Sequence, residues 1–280
     1  MAILPNQLPT LAADPTGRSL GLHLPPGTLL DTTVDGPWSE PLMWRADAPA
    51  APGDWLRLAS ARRTAGLHPV LVGGGDRSEP HPDKWELDPG LASYPGDHDA
   101  EEVLAEFWEE YAAEDDADWP GLAAAVPPAA DRTTGPDADP DADPDIGPDT
   151  RAADVADSLA AGASWLTEPR LALVPARRSA DIPAAIGWVG PVNYTDDVAP
   201  LCAVLRSWED RFGIRVVALA LDRLTVSVAA PARTPAEAEA IAAEHFAFCP
   251  ATLTQGVHDS LRAYAEHEVL GARAWTFWWD

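Results

Sequence analysis

The run Arg215-Val216-Val217-Ala218-Leu219-Ala220-Leu221-Asp222-Arg223-Leu224-Thr225-Val226-Ser227-Val228-Ala229 decides the fold. Its first half is apolar up to Leu221. In its second half Leu224, Val226 and Val228 alternate with Thr225 and Ser227. Alternation with period two marks a strand, and two such runs parted only by Asp222-Arg223 make a β-hairpin. Upstream, Val198, Leu201, Cys202, Leu205, Trp208 and Phe212 recur at helical spacing and Gly213 follows, which predicts an amphipathic helix over 197–212. Before it, 170–175 reads as a short apolar strand and 183–194 as a short helix and loop. Downstream, Thr234-Pro235-Ala236-Glu237 supplies a cap, a first-turn proline and a carboxylate for a helix to about Phe248, which Pro250 ends. A further helix is expected over 259–270. The closing strand, 273–279, puts Trp275, Phe277 and Trp279 on one face and Thr276 and Trp278 on the other.

This order of elements predicts an α+β C-terminal domain over 151–280, an antiparallel or mixed sheet with helices, with the ferredoxin-like split βαβ arrangement as candidate topology. Before it, 126–150 alternates Pro, Asp, Ala and Gly and lacks the apolar mass to offset its ordering entropy, so it reads as a disordered acidic linker. The first 125 residues read as an irregular α/β region. A helix fits 54–64, where Asp54 can cap and Trp55, Leu56 and Leu58 begin an apolar stripe that Gly66 stops. His68-Pro69-Val70-Leu71-Val72 reads as a short buried strand. The Gly73-Gly74-Gly75 that follows lacks the Gly-Lys-Ser/Thr ending of a phosphate loop and is read as a turn. A second helix, 99–113, places Val103, Leu104, Phe107, Trp108 and Tyr111 on one face.

Within 171–280, Gly187-Trp188, Val192-Asn193-Tyr194, Leu205-Arg206-Ser207-Trp208-Glu209-Asp210-Arg211-Phe212-Gly213, Ala243-Glu244-His245-Phe246-Ala247-Phe248-Cys249-Pro250 and the closing Phe277-Trp278-Trp279-Asp280 follow one another in an order that resembles the bacterial family catalogued as domain of unknown function 4253. The resemblance implies a bacterial protein and no particular reaction. Ala251 stands where that family's pattern leads one to expect Asp after the Cys-Pro pair.

The chain carries a net charge of −26, with 45 acidic against 19 basic residues. Residues 76–167 hold 25 of the acidic groups and only 4 of the basic ones, so most of the excess belongs to the linker and its flanks. Nucleic acid is excluded as a partner, because phosphate binding needs clustered Arg and Lys. No apolar stretch approaches the roughly 20 residues of a membrane helix, so no membrane is expected. Two cysteines and no visible leader predict a cytoplasmic protein with reduced thiols. No cofactor is predicted.

The most chemical-looking residues are His245 and Cys249, four apart on one helix face, with Glu244 beside them. As metal ligands they would need two more, for which Cys202, His258 or Glu209 are the suggestions; as a thiol–imidazole pair they would need the ring aimed at sulfur. The plainer reading is a buried, hydrogen-bonded His and a core Cys. Glu209 beside Trp208 reads as the solvated flank of a core tryptophan, or as a carboxylate site. Asn193, Trp208 and Trp278 are the candidate binding residues, since the terminal tryptophans cannot all be buried on one sheet face. The function expected from these features is a non-enzymatic protein-interaction module, an immunity-type or regulatory partner of another protein; the alternative is a small metal- or thiol-dependent hydrolase built on His245 and Cys249.

Overall fold

The computed structural model describes residues 5–74, 85, 87–111, 118–126, 147–162 and 165–279. The N-terminal part runs α1 (Thr10–Ala13), β1 (Gly27–Leu30), β2 (Thr32–Thr33), β3 (Gly36–Pro37), β4 (Met43–Ala46), α2 (Asp54–Leu58), α3 (Ala61–Ala65), β5 (Leu67–Gly74) and α4 (Ala100–Tyr111). There follow α5 (Pro148–Ala160), β6 (Thr167–Pro175), α6 (Ile182–Ile186), α7 (Ala199–Phe212), β7 (Arg215–Leu219) and β8 (Arg223–Ser227). The chain continues through α8 (Pro235–Phe248), α9 (Ala251–Thr254), α10 (Leu261–Tyr264), a π-helical turn (Ala265–Val269) and β9 (Ala274–Trp278). Short strands and helices make up the N-terminal part, and the whole is α+β.

Seven strands form one mixed sheet in the order β1-β4-β6-β5-β7-β8-β9. Every neighbouring pair is antiparallel except β5 with β7. The hairpin read from 215–229 is present as β7 and β8, with Leu219 opposite Leu224. The ferredoxin-like arrangement is not formed. A split βαβ unit runs its first two strands parallel with the third between them, whereas here β6 and β7 run antiparallel, the strand between them is β5 from the N-terminal part, and β8 and β9 follow beyond β7. The physical reason is in β5 itself. It is buried at all eight positions, and a strand without a solvent face is stable only inside a sheet covered on both sides. Its neighbour β6 shows how the two sides divide. Ala172 and Val174 join a core with Val70, Val72, Trp208 and Phe277, whereas Leu171 and Leu173 join a second with Leu67, Leu71, Trp55 and Ala152. Helices α4, α7 and α8 cover the first face, and α2, α3 and α5 the second.

Local signals hold well around this sheet. Thr234 accepts a bond from Glu237 N while the Glu237 side chain bonds back to Thr234 N, so α8 begins with the expected capping box. Gly213, in the left-handed region at φ 62°, ends α7 and turns the chain into β7. Two expected helices are broken. The one over 54–64 turns at Ala59-Ser60 into α2 and α3, which buries Trp55, Leu58 and Ala61 and leaves Leu56 exposed. The one over 259–270 is capped by Ser260 rather than Asp259 and widens after Tyr264, where Leu270 N bonds to Ala265 O at 2.9 Å. Most of the acidic linker lies outside the described residues. Its last three residues, 148–150, are the first turn of α5.

Candidate functional site

His245 lies in the last turn of α8 and Cys249 is the C-cap just past it, extended rather than helical at φ −151°, so the two do not share a helix face. Beyond its first turn α8 is largely buried. Ala238, Ile241, Ala242, Ala243, Ala247 and Phe248 are inside along with them. The imidazole sits among aromatic rings, with centroids 4.5 Å from Trp275, 4.9 Å from Phe277 and 5.2 Å from Trp208. Nδ1 is 3.0 Å from the Tyr264 hydroxyl and Nε2 has no hydrogen-bond partner. Burial lowers its pKa to about 3, so the ring is neutral near pH 7. The Cys249 thiol donates to the Trp278 carbonyl at 3.0 Å, and burial raises its pKa to about 12. The two residues thus bond to different partners, and neither is in the charge state that thiolate chemistry requires. Cys202 is likewise buried and its thiol is pushed upward by desolvation. Among the described residues no group of three or more His, Cys, Asp or Glu could hold a metal ion.

The two glutamates have structural partners. Glu244, with no exposed surface, accepts four bonds: Ala123 N at 2.6 Å and Arg211 Nη1 at 2.7 Å on Oε1, Arg211 Nη2 at 2.6 Å and Trp208 Nε1 at 2.7 Å on Oε2. Arg211 Nη1 also donates to Ala123 O at 2.8 Å. The ion pair therefore reads both backbone groups of Ala123 and fastens 118–126 across α7 and α8. Glu209 accepts from Arg215 at 3.2 Å and from Ala180 N at 3.2 Å, while Arg215 reaches Asp149 at 3.0 Å and Asp149 takes Arg62 at 2.7 Å. This chain of charges joins α3, α5, β7 and α7. Trp208 is a core indole with no exposed surface, and Asn193 is exposed on the loop after α6.

Trp278 leads to an open feature. A cavity of about 410 Å³ lies between β9 and the segment from α9 to the π-helical turn, lined by Thr252, Val257, His258, Tyr264, Glu268 and Trp278 among others. His258 Nε2 is 2.9 Å from Glu268 Oε1 at its mouth, and Val257 is 90% exposed. Because Tyr264 lines the cavity and bonds to His245, the buried imidazole stands directly behind it. Strand β9 forms the opposite wall and is the last strand of the sheet. Across the β8 pair Trp279 N bonds to Asp222 O and Val228 N to Arg273 O, so the odd-numbered residues turn their backbone groups toward β8. In an antiparallel ladder the alternate residues then face away. Ala274, Thr276 and Trp278 therefore present their N–H and C=O to the open edge, as the Cys249 bond to Trp278 O already shows. Thr276 is exposed and Trp278 half-buried. The sequence had singled out Trp278 here, but not Thr276, Glu268 or Tyr264. An alternation pattern gives the faces of a strand and not whether it ends a sheet.

Fold and groove together define an α+β protein whose mixed sheet ends in an open edge strand. The family model described as a domain of unknown function (DUF4253) matches residues 170–280, the C-terminal segment that carries the groove. No curated protein and no solved structure matches the chain. Among the described residues no helix is long and apolar enough to cross a membrane.

Proposed function

We propose that the C-terminal domain is a protein-interaction module that takes an extended, basic segment of a partner protein along the free edge of β9. The observation that carries this reading is the outward-facing backbone of Ala274, Thr276 and Trp278 beside an open groove. The Trp278 carbonyl is already taken by the Cys249 thiol, so an added strand pairs with the groups of Ala274 and Thr276, and alternate side chains of the segment enter the groove over Trp275 and Tyr264. Charge selects the kind of segment. With 45 acidic and 19 basic residues the chain attracts cations at long range. Near the groove Asp259, Glu266 and Glu268 are exposed, while Arg262 is engaged by Glu239 at 3.0 Å. A regulatory or immunity-type role requires a docking surface of this kind.

The test is selection of displayed random linear peptides on the full chain, repeated on Thr276→Pro. Proline removes the outward N–H at a position an edge strand tolerates and also the Thr276 hydroxyl, which bonds Thr225 Oγ1 at 2.8 Å. Thr276→Val, which loses the hydroxyl and keeps the N–H, is therefore the control, and its peptide affinity stays near that of the parent. Selected peptides are expected to be basic, to bind more weakly as salt rises, and to lose at least about tenfold in affinity on Thr276→Pro. Peptides that bind Thr276→Pro as tightly as the parent, or that are predominantly acidic, refute the proposal.

A further inference from the structure

A second cavity, of about 500 Å³, lies on the opposite face of the sheet and is lined, apart from Leu171, by residues 16–58. Its size is within the range of small-molecule sites, roughly 300–1,000 Å³. Leu24, Ala46, Leu58 and Leu171 form its floor, and each is at most 9% exposed and belongs to the second core. The floor is therefore apolar and held in place by the packing around it. The rim is of different chemistry. Arg18, His23 and Arg57 converge there against a single carboxylate, Asp54. Asp54 is already engaged by Arg57 and by the Ala51 N–H at 2.8 Å. Among the described residues no ion pair engages Arg18. The loop bearing Arg18 is fixed by Asp14, whose carboxylate accepts Ser19 N and Thr16 Oγ1, each at 2.7 Å. These bonds hold its pKa down at about 2, so the loop stays tied at any ordinary pH.

In a chain with a net charge of −26, Arg57 pairs with the carboxylate of this rim, Asp54, and Arg18 has no ion-pair partner among the described residues, which leaves one guanidinium there for an anion. We propose that this cavity binds a small amphipathic carboxylate, with its acidic head on Arg18 and its short apolar body on the leucine floor. The guanidinium fork matches a carboxylate in geometry and charge, and the four floor residues supply apolar contact for a chain or ring. A cation is rejected by the rim. A neutral molecule of the same shape keeps only the floor.

Calorimetric titration of the full chain with octanoate, octan-1-ol and octylammonium separates these contributions, together with titration of Arg18→Gln and of the Arg18→Gln/Arg57→Gln pair. Both arginines are exposed, so the variants keep the fold, and matching melting temperatures check this. Octanoate is expected to saturate one site, to bind at least about tenfold more tightly than octan-1-ol, and to lose about tenfold on Arg18→Gln. Non-saturable octanoate binding, equal binding of octan-1-ol, or unchanged octanoate affinity in the double variant would each overturn the assignment.

Discussion

Removing the Glu244 carboxylate, as in Glu244→Leu, exposes how much of the fold rests on one buried ion pair. In the parent four donors converge on that carboxylate, two from Arg211 and one each from Trp208 and Ala123. The glutamate has no exposed surface and the Arg211 side chain only 13%. Leucine fills most of the volume but accepts nothing, so a guanidinium, an indole N–H and a peptide N–H are left facing apolar carbon. Breaking a buried pair from one side costs about 3–5 kcal/mol, because the remaining charge is stranded. For a chain of this length a loss of that size lowers the melting temperature by roughly 6–20 °C. Converting Arg211→Met in the same chain removes the stranded charge, so the double variant is expected to be no less stable than Glu244→Leu alone. The Ala123 amide provides a local reading, since its hydrogen exchange should accelerate in Glu244→Leu. A melting shift under about 2 °C, or single-variant losses that simply add in the double variant, would refute this account of the pair.

Acid stability follows from the two buried histidines, His245 and His68, whose pKa values burial lowers from 6.5 to about 3 and about 4. Below pH 6.5 the unfolded chain takes up a proton at each ring and the folded chain does not, so their contribution is full above that pH and is lost as the pH falls toward the folded values. Each costs up to about 1.4 kcal/mol per pH unit in that window; melting curves of His245→Phe should show a flatter acid limb than the parent, and identical slopes would contradict it. Both thiols are buried and shifted upward, so Cys202 and Cys249 should resist iodoacetamide at pH 8 in the folded chain and alkylate together once it is unfolded. Rapid labelling of Cys249 in the folded state would show that the thiol at the end of α8 is open to solvent after all.

Local chemistry was legible wherever neighbours in sequence decide it. The hairpin, the α7 stripe with its Gly213 stop and the α8 capping box are all set by residues within a few positions of one another. The place of β5 was not. His68-Pro69-Val70-Leu71-Val72 reads as a buried strand, but apolarity on both faces says only that both faces are covered. Which strands lie beside it depends on pairings such as Val70 with Ala172, about a hundred residues apart, and periodicity carries no information about such partners. The ferredoxin-like expectation failed at that point, since it assumed that the strands of the C-terminal part pair only among themselves.

The candidate site divides along the same line. His and Cys four apart invite a chemical reading, yet Ala238, Ala242, Ala243 and Ala247 give the inner turns of α8 small buried residues on more than one side. A helix packed on more than one side keeps its polar groups from water and turns them into bonded core, as happens to Glu244, His245 and, at its end, Cys249. At β9 the sequence supplied the faces and the sheet supplied the edge. Side-chain direction and backbone direction alternate together along a strand, so the register that buries Trp275, Phe277 and Trp279 also commits their N–H and C=O to β8. The even-numbered residues must then offer theirs to the groove. Thr276 is for this reason the central position where the edge can be blocked without disturbing the aromatic core or the backbone ladder to β8. Because its hydroxyl bonds Thr225 Oγ1 at 2.8 Å, loss of binding in Thr276→Pro but not in Thr276→Val would report on the edge.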